Sequence, residues 1–171
     1  MITVSVDCCN PISQKFYDDV IFSLQFHQLT CTCGHSACLT VHGYYNRFIK
    51  SDGRKVSLRI CRLFCSCCGH THALLLSSII PYSQIPLSKQ ADIVSYTSNN
   101  GDISFLLDSQ IDESNVHAVI RQFRRHWKQK LLSKCILLTP LASLFTSCFS
   151  FFSRQFMQIK STSNILFLRP T

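Results

Sequence analysis

The side chains with the most chemistry to offer are cysteines, 11 of them in 171 residues. One cluster reads Cys31-Thr-Cys33-Gly34 and another Cys65-Ser-Cys67-Cys68-Gly69. Thiolates are soft, strong donors for zinc, and a structural zinc site takes four ligands in a tetrahedron. Each cluster ends in Cys-Gly, and a glycine there lets the chain turn its amides toward sulfur. The run between them reads as a single β-hairpin. Two such knuckles flanking a hairpin form the pattern of a zinc ribbon, in which the metal substitutes for a core that so small a unit cannot build.

The ligand assignment is only partly fixed by spacing. Cys65 and Cys68 have the usual two-residue spacer, whereas Cys31-x-Cys33 is one residue short. Cys38 is a third candidate at the first knuckle and His35 a fourth. The expected set is Cys31, Cys33, Cys65 and Cys68, holding one Zn2+, with Cys38 as the substitute. Cys67 reads as a bystander, and His42, His70 and His72 as surface or strand polar groups. Cys8 and Cys9 read as simple thiols at the end of a strand.

The elements that must position these sulfurs can be read around them. Ile2, Val4 and Val6 alternate with polar residues, as in a short strand. Ile12, Phe16, Val20, Ile21 and Leu24 recur at helical spacing, which predicts an amphipathic helix over 12–27. The hairpin runs from Leu39 to Lys50, turns at Ser51-Asp52-Gly53-Arg54, where Asp-Gly supplies the positive φ of a tight turn, and returns from Lys55 to Phe64. Val56, Leu58, Ile60 and Phe64 share one of its faces, and Ser57, Arg59 and Cys61 the other. A third strand can follow over 70–76.

Charge points outward. The chain carries 17 Lys and Arg against 9 Asp and Glu, a net +8, with a pI near 9.0. That excess favours an anionic partner, a nucleic acid or an anionic membrane face. Hydrophobic residues at 46% and a mean hydropathy of +0.15 argue against disorder. The cysteine count is odd, the cysteines cluster, and the start of the chain lacks the pattern of a secretory signal. These features fit a reduced compartment with a metal better than a disulfide scaffold, so the expected location is the cytoplasm.

On the hairpin, Arg47, Lys50, Arg54, Lys55, Arg59 and Arg62 interleave with Tyr44, Tyr45 and Phe48. Cations beside aromatics suit a phosphate backbone and stacked bases; solvated strand edges have the same composition. Beyond a linker at 81–86, Ser88 can cap a helix reaching about Tyr96, Asn99-Asn100-Gly101 is a turn, and Asp102–Asp108 can form a second short helix around Ile103, Leu106 and Leu107. Asp112 then caps a longer helix to about Leu131. At about 100° per residue, Val116, Val119, Ile120, Phe123, Trp127 and Leu131 fall on one stripe. His117, Arg121, Arg124, Arg125 and Lys128 fall on an adjoining arc. A short helix, a turn and a basic helix is the helix-turn-helix arrangement, whose last helix enters the major groove. A solvated basic face on a structural helix reads the same way.

The segment 135–153 lacks charge and is rich in Leu and Phe, so a membrane helix has to be weighed. Its apolar residues (Leu141, Leu144, Phe145, Cys148, Phe149, Phe152, Phe156 and Ile159) keep to one face. Ser143, Thr146, Ser147, Ser150, Ser153 and Arg154 keep to the other. That is an amphipathic helix for packing rather than a span. Residues 164–168 can be a final strand. The expected fold is α+β: an N-terminal strand and helix (1–30), a zinc-ribbon β-hairpin module (31–80), a helix-turn-helix-like region (81–133), and an amphipathic helix with a tail (134–171).

Several phrases together resemble an uncharacterised bacterial family of unknown function that accompanies mobile elements. They are Cys31-Thr-Cys-Gly-His-Ser, His42-Gly-Tyr-Tyr-Asn-Arg47, Cys65-Ser-Cys-Cys-Gly-His-Thr-His-Ala-Leu-Leu75, Pro81-Tyr-Ser-Gln-Ile-Pro86, Ile111-Asp-Glu-Ser-Asn-Val116 and Arg121-Gln-Phe-Arg-Arg-His-Trp127. More loosely, a ribbon followed by a helix-turn-helix is similar to the DNA-recognition region of insertion-sequence transposases. The resemblance implies DNA as a partner, and a separate transposase or recombinase chain. Transposases of the usual kind hold two metal ions with a carboxylate triad. All nine acids here lie at or before Glu113, so the chain is not expected to be an enzyme. The competing expectation is a zinc-stabilised protein-interaction module with no nucleic-acid role.

Overall fold

The computed structural model describes residues 1–7, 10–99 and 103–158. Its elements are β1 (Ile2–Val4), α1 (Gln14–Ser23), β2 (Leu39–Ser51), β3 (Arg54–Cys65), β4 (Thr71–Leu76), α2 (Leu87–Ser98), α3 (Glu113–His126), α4 (Lys128–Ser133) and α5 (Leu141–Phe152), with 3-10 turns at Phe26–Gln28 and Ser104–Leu106. The fold is α+β, a four-stranded sheet with five α-helices among the described residues. Two compact units are present: Met1–Ile49 with Lys55–Ser78, and Lys50–Arg54 with the chain from Ile79 onward.

In the first unit the sheet order is β1-β4-β3-β2. The hairpin turn, which counts with the second unit, has positive φ at Asp52 and Gly53, 51° and 67°, as a two-residue turn requires. The expected third strand is β4, antiparallel to β3 with Arg62 opposite Ala73 and Phe64 opposite Thr71. The short N-terminal strand is β1, parallel to β4 with Ile2 opposite Leu74 and Val4 opposite Leu76. It stops before Val6 because Ser77 takes over the pairing: the Val6 N–H donates to Ser77 Oγ, 2.9 Å, and the Ser77 N–H to the Val4 carbonyl, 2.8 Å.

The periodicity of β3 holds, but burial on its second face does not follow it. Leu58 and Ile60 are buried on the expected apolar face, and Ser57 and Arg59 are exposed on the other. Cys61, placed with the polar residues by alternation, is fully buried together with Leu63 and Cys65. The cause is α1. Gln14 Oε1 accepts from the Arg59 N–H at 2.6 Å. The buried Tyr17 hydroxyl accepts from the Cys61 N–H at 2.9 Å and donates to the Leu74 carbonyl at 2.8 Å. Burial holds the Tyr17 pKa well above its ordinary value. Near the knuckles, then, β3 is covered on both faces. The helix itself is shorter than the expected 12–27. Ser13 caps it by accepting from the Phe16 N–H at 3.1 Å, and Leu24 leaves in an extended conformation. Its buried residues are Tyr17 and Ile21, because the satisfied hydroxyl allows Tyr17 to face the core in place of Phe16.

In the second unit α2 begins after Pro86, not at a Ser88 cap. Pro86 already has φ −67°, and the Gln90 N–H closes on its carbonyl at 3.0 Å. Ala91 and Val94 face inward with Leu87 and Ile93, and α2 packs on α3. Where a second short helix was expected there is a single 3-10 turn. The chain folds back instead at Asp108, whose carboxylate accepts from the N–H groups of Gln110 and Ile111 at 2.8 and 2.9 Å, an Asx turn. Of Ile103, Leu106 and Leu107, expected to organise it, Leu106 is buried. The connection between α2 and α3 is thus longer than the 3–4-residue turn typical of the helix-turn-helix (about that length).

Asp112 caps α3 as expected, accepting from the Asn115 N–H at 2.8 Å. The helix breaks at Trp127 and resumes as α4, with hydrogen bonds from the Trp127 N–H to the Phe123 carbonyl and from the Leu131 N–H to the Trp127 carbonyl carrying across the break. Val116, Val119, Phe123, Trp127 and Leu131 are buried. Trp127 lies edge-on to Phe152 and Phe156, centroids 5.6 and 5.4 Å apart. In α5, Leu144, Phe145 and Cys148 are buried. Phe149, expected on the same face, is exposed. No helix among the described residues is long and apolar enough to cross a membrane. The readings made for Cys8, Cys9, Asn100, Gly101, Asp102, Ile159 and 164–168 lie outside the described residues.

Candidate metal centre and basic face

The two knuckles are built alike despite their different lengths. At the first, the Gly34 N–H donates to the Cys31 carbonyl and the Cys31 N–H to the His35 carbonyl, each at 2.9 Å. At the second, the Gly69 N–H donates to the Cys65 carbonyl at 2.9 Å and the Cys65 N–H to the His70 carbonyl at 3.0 Å. Gly34 and Gly69 have φ of 92° and 69°, a conformation that side chains resist. One missing residue therefore tightens the first loop by a position and leaves its hydrogen-bond plan intact. That explains how a one-residue spacer can stand opposite a two-residue one.

These loops bring the sulfurs of Cys31, Cys33, Cys65 and Cys68 together, all within 4.8 Å of one another. Cys31 Sγ is 3.8 Å from Cys68 Sγ, and Cys33 Sγ is 3.8 Å from Cys65 Sγ. A regular tetrahedron with metal–sulfur bonds of about 2.3 Å has sulfur–sulfur edges of about 3.8 Å. The two cross-knuckle edges thus have the length that one shared ion would impose, and this set can hold a metal ion. The nine cysteines among the described residues are all free of disulfides.

The charge balance agrees. Burial opposes ionisation of Cys65, but the Cys68 N–H and the thiols of Cys38, Cys68 and Cys31 overcome it and bring its pKa down to about 6. The His70 N–H favours a Cys68 thiolate, yet burial and the shared hydrogen bonds with Cys65, Cys31 and Cys33 push that thiol up to about 12. A divalent cation would replace the thiol protons.

Two neighbours escaped the sequence reading. His72, read as a surface or strand polar group, is a buried residue of β4, with Nε2 3.3 Å from Cys31 Sγ; burial lowers its pKa. Were Cys31 to bind a metal, His72 would stand as an outer partner to it, as such neighbours commonly do. Its register gave the signal, since His72, Leu74 and Leu76 alternate on the buried face of β4. Cys67, read as a bystander, lies within 4.8 Å of the sulfurs of Cys38 and Cys65. Cys38 itself is 3.3 Å from Cys65 and outside the four-sulfur set. Cys33 Sγ lies 3.5 Å from His35 Nδ1.

The cationic residues divide differently. His117, Arg121, Arg124, Arg125 and Lys128 are all exposed, while the opposite side of α3 is anchored in the core. Arg121 and Arg125 line a cleft of about 510 Å³ with Lys50, Tyr82 and Asn115. Lys50 Nζ donates to Asn115 Oδ1 at 2.7 Å. On the hairpin, Arg59 stacks over Tyr44 and Lys55 over Phe48, each 4.3 Å from the ring centre. Arg47 is half-buried and engaged within the fold. Two of the hairpin's cations are thus already stacked on two of its rings, whereas the α3 arc faces solvent.

Residues 30–105 match the family model described as Domain of unknown function (DUF6431). No curated protein and no solved structure matches the chain. The family match covers both knuckles and α2, stops before α3, and carries neither an activity nor a link to mobile elements.

Proposed function

We propose that the chain is a zinc-stabilised DNA-binding module without a catalytic core, acting beside a separate transposase or recombinase chain. The observation that carries this reading is the exposed arc of His117, Arg121, Arg124 and Arg125 on a helix whose other face is fixed in the core. Rigidly held cations neutralise phosphates at a low ordering cost, and displaced counterions make the affinity fall steeply with salt. The net charge of +8 supports the same partner. Zinc is favoured because a tetrahedral four-thiolate site in a small hairpin unit suits a closed structural ion. Elemental analysis of the purified chain tests the metal; iron in place of zinc would refute that part.

DNA binding is tested by mobility shift on duplex DNA at low and high salt, with and without a chelator. Binding at low salt that weakens as salt rises is expected, and absence of any shift at low salt removes the reading. Replacing Arg121, Arg124 and Arg125 with alanine should abolish the shift.

A second reading draws on exposed apolar side chains of the second unit: Leu132, Leu137, Phe149 and Phe151. These suit a protein partner. The triple arginine variant separates the two, being nearly silent for a protein-interaction module.

A further inference from the structure

The cysteines left over from the four-sulfur set are not scattered. Cys38, Cys65 and Cys67 form a second group with all three sulfurs within 4.8 Å of one another. Cys65 belongs to both groups. Cys38 Sγ approaches Cys65 Sγ to 3.3 Å, and the Cys38 carbonyl is tied to the second knuckle by the Ser66 N–H at 2.9 Å. The strand that starts after the first knuckle is thereby fastened, at its first turn, to the loop that carries Cys65 and Cys67.

We propose a second binding site for a thiophilic divalent ion at Cys38, Cys65 and Cys67, joined to the first through a bridging Cys65 thiolate. This inference rests on the four-sulfur reading of the first site and goes beyond its single ion. A thiolate has lone pairs enough to serve two soft cations, and soft sulfur ligands select zinc and its relatives over hard ions. Three protein ligands with one position left for water is the arrangement of open zinc sites. Cys67 is exposed, so solvent can reach that position. On binding, the Cys38 and Cys67 thiols each lose a proton to solvent, while Cys65, already a thiolate at the first site, loses none further. The two ions bring four positive charges to six thiolates, leaving the pair with the same net −2 that one ion on four thiolates would carry. Entry of the ion would open the Cys38–Cys65 contact from 3.3 Å to the tetrahedral edge of about 3.8 Å.

Metal stoichiometry tests this on the full chain. The metal-free, reduced protein is titrated anaerobically with Zn2+ and counted by native mass spectrometry, with Cd2+ as a parallel probe through its thiolate absorption band. Two ions per chain are expected, falling to one in Cys67→Ser, which alters an exposed side chain, and to one in Cys38→Ser. The Cys67→Ser result decides if the buried Cys38→Ser variant fails to fold. A single ion on the unmodified chain, or two ions retained by Cys67→Ser, overturns the second site and leaves the first intact. No bound ion at all overturns both.

Discussion

Cys31 and Cys68 are 37 residues apart in the chain and hold their sulfurs 3.8 Å from each other. Arg121 and Arg125 are one helical turn apart and point into solvent. The first site converges and the second diverges. A converging site is made by the path of the chain. Its members are worth little singly, because one missing ligand opens the tetrahedron. A diverging face is made by helix pitch alone, and each cation contributes nearly on its own. Losses should therefore be cooperative in the knuckle unit and graded on α3.

The sharpest way to break that contrast is to withhold the ion proposed for the four sulfurs. Structural zinc contributes about 10–16 kcal/mol in small metal-dependent folds, as much as the whole stability of a typical domain, about 5–15 kcal/mol. Chelation, or Cys65→Ser, should unfold the first unit outright. The only tryptophan, Trp127, is buried in the second unit, so its emission should stay blue-shifted while backbone amide signals of the sheet collapse. A parallel red shift would show that the two units do not fold separately.

Trp127→Ala attacks the other side of the comparison. Truncating a buried Trp costs about 3–5 kcal/mol, and here it removes the edge contacts with Phe152 and Phe156. Thermal unfolding should lose that much from the second unit while zinc content is unchanged; loss of zinc would mean that the units are coupled.

His72→Ala keeps all four thiolates but removes the neighbour of Cys31. Losing such an outer partner typically weakens metal binding about 10–100-fold, read by competition with a chromophoric chelator. Unchanged affinity would reduce His72 to a buried strand residue.

Single arginine-to-alanine changes at 121, 124 or 125 should each lower the slope of log affinity against log salt by about 0.9 per lost phosphate contact, with stability moved by less than about 0.5 kcal/mol. An all-or-none response would contradict the graded face.

The smallest effect is expected at Asp112. The Asn115 N–H that it caps holds its carboxylate below the ordinary pKa, with further help from Ser114, the Asn115 side chain and Lys50. A depressed carboxylate stabilises the fold above its unfolded pKa of about 3.9, and that contribution fades as pH falls through the folded value. Helix content of α3 should thus drop slightly in acid in the parent chain but not in Asp112→Ala; identical acid profiles would remove the cap's role.

Much of this could be read from short stretches of chain. The Asp52-Gly53 turn, the Asp112 cap, the α3 stripe and the Cys-Gly ends of both knuckles each depend on a few neighbouring residues. Where the reading fell short, a distant segment or a competing nearby side chain had intervened. Cys61 shares the face of the exposed Ser57 and Arg59, and alternation cannot foresee that α1 covers it there, its Tyr17 hydroxyl accepting from the Cys61 N–H. The second short helix gave way to the Asx turn at Asp108, where a side chain competes with the helix for backbone N–H groups.

The sequence by itself determined the kinds of site available: soft donors on two glycine-closed loops, and cations on one arc of an amphipathic helix. Periodicity and spacing act over a few residues, and the chain cannot evade them. Only the tertiary structure decided which sulfurs share a neighbourhood, that His72 stands behind Cys31, and that Cys65 lies within reach of two groups at once. Those are distances between residues tens of positions apart, fixed when β3 and β4 pair and the two knuckles meet, and no local rule carries that information.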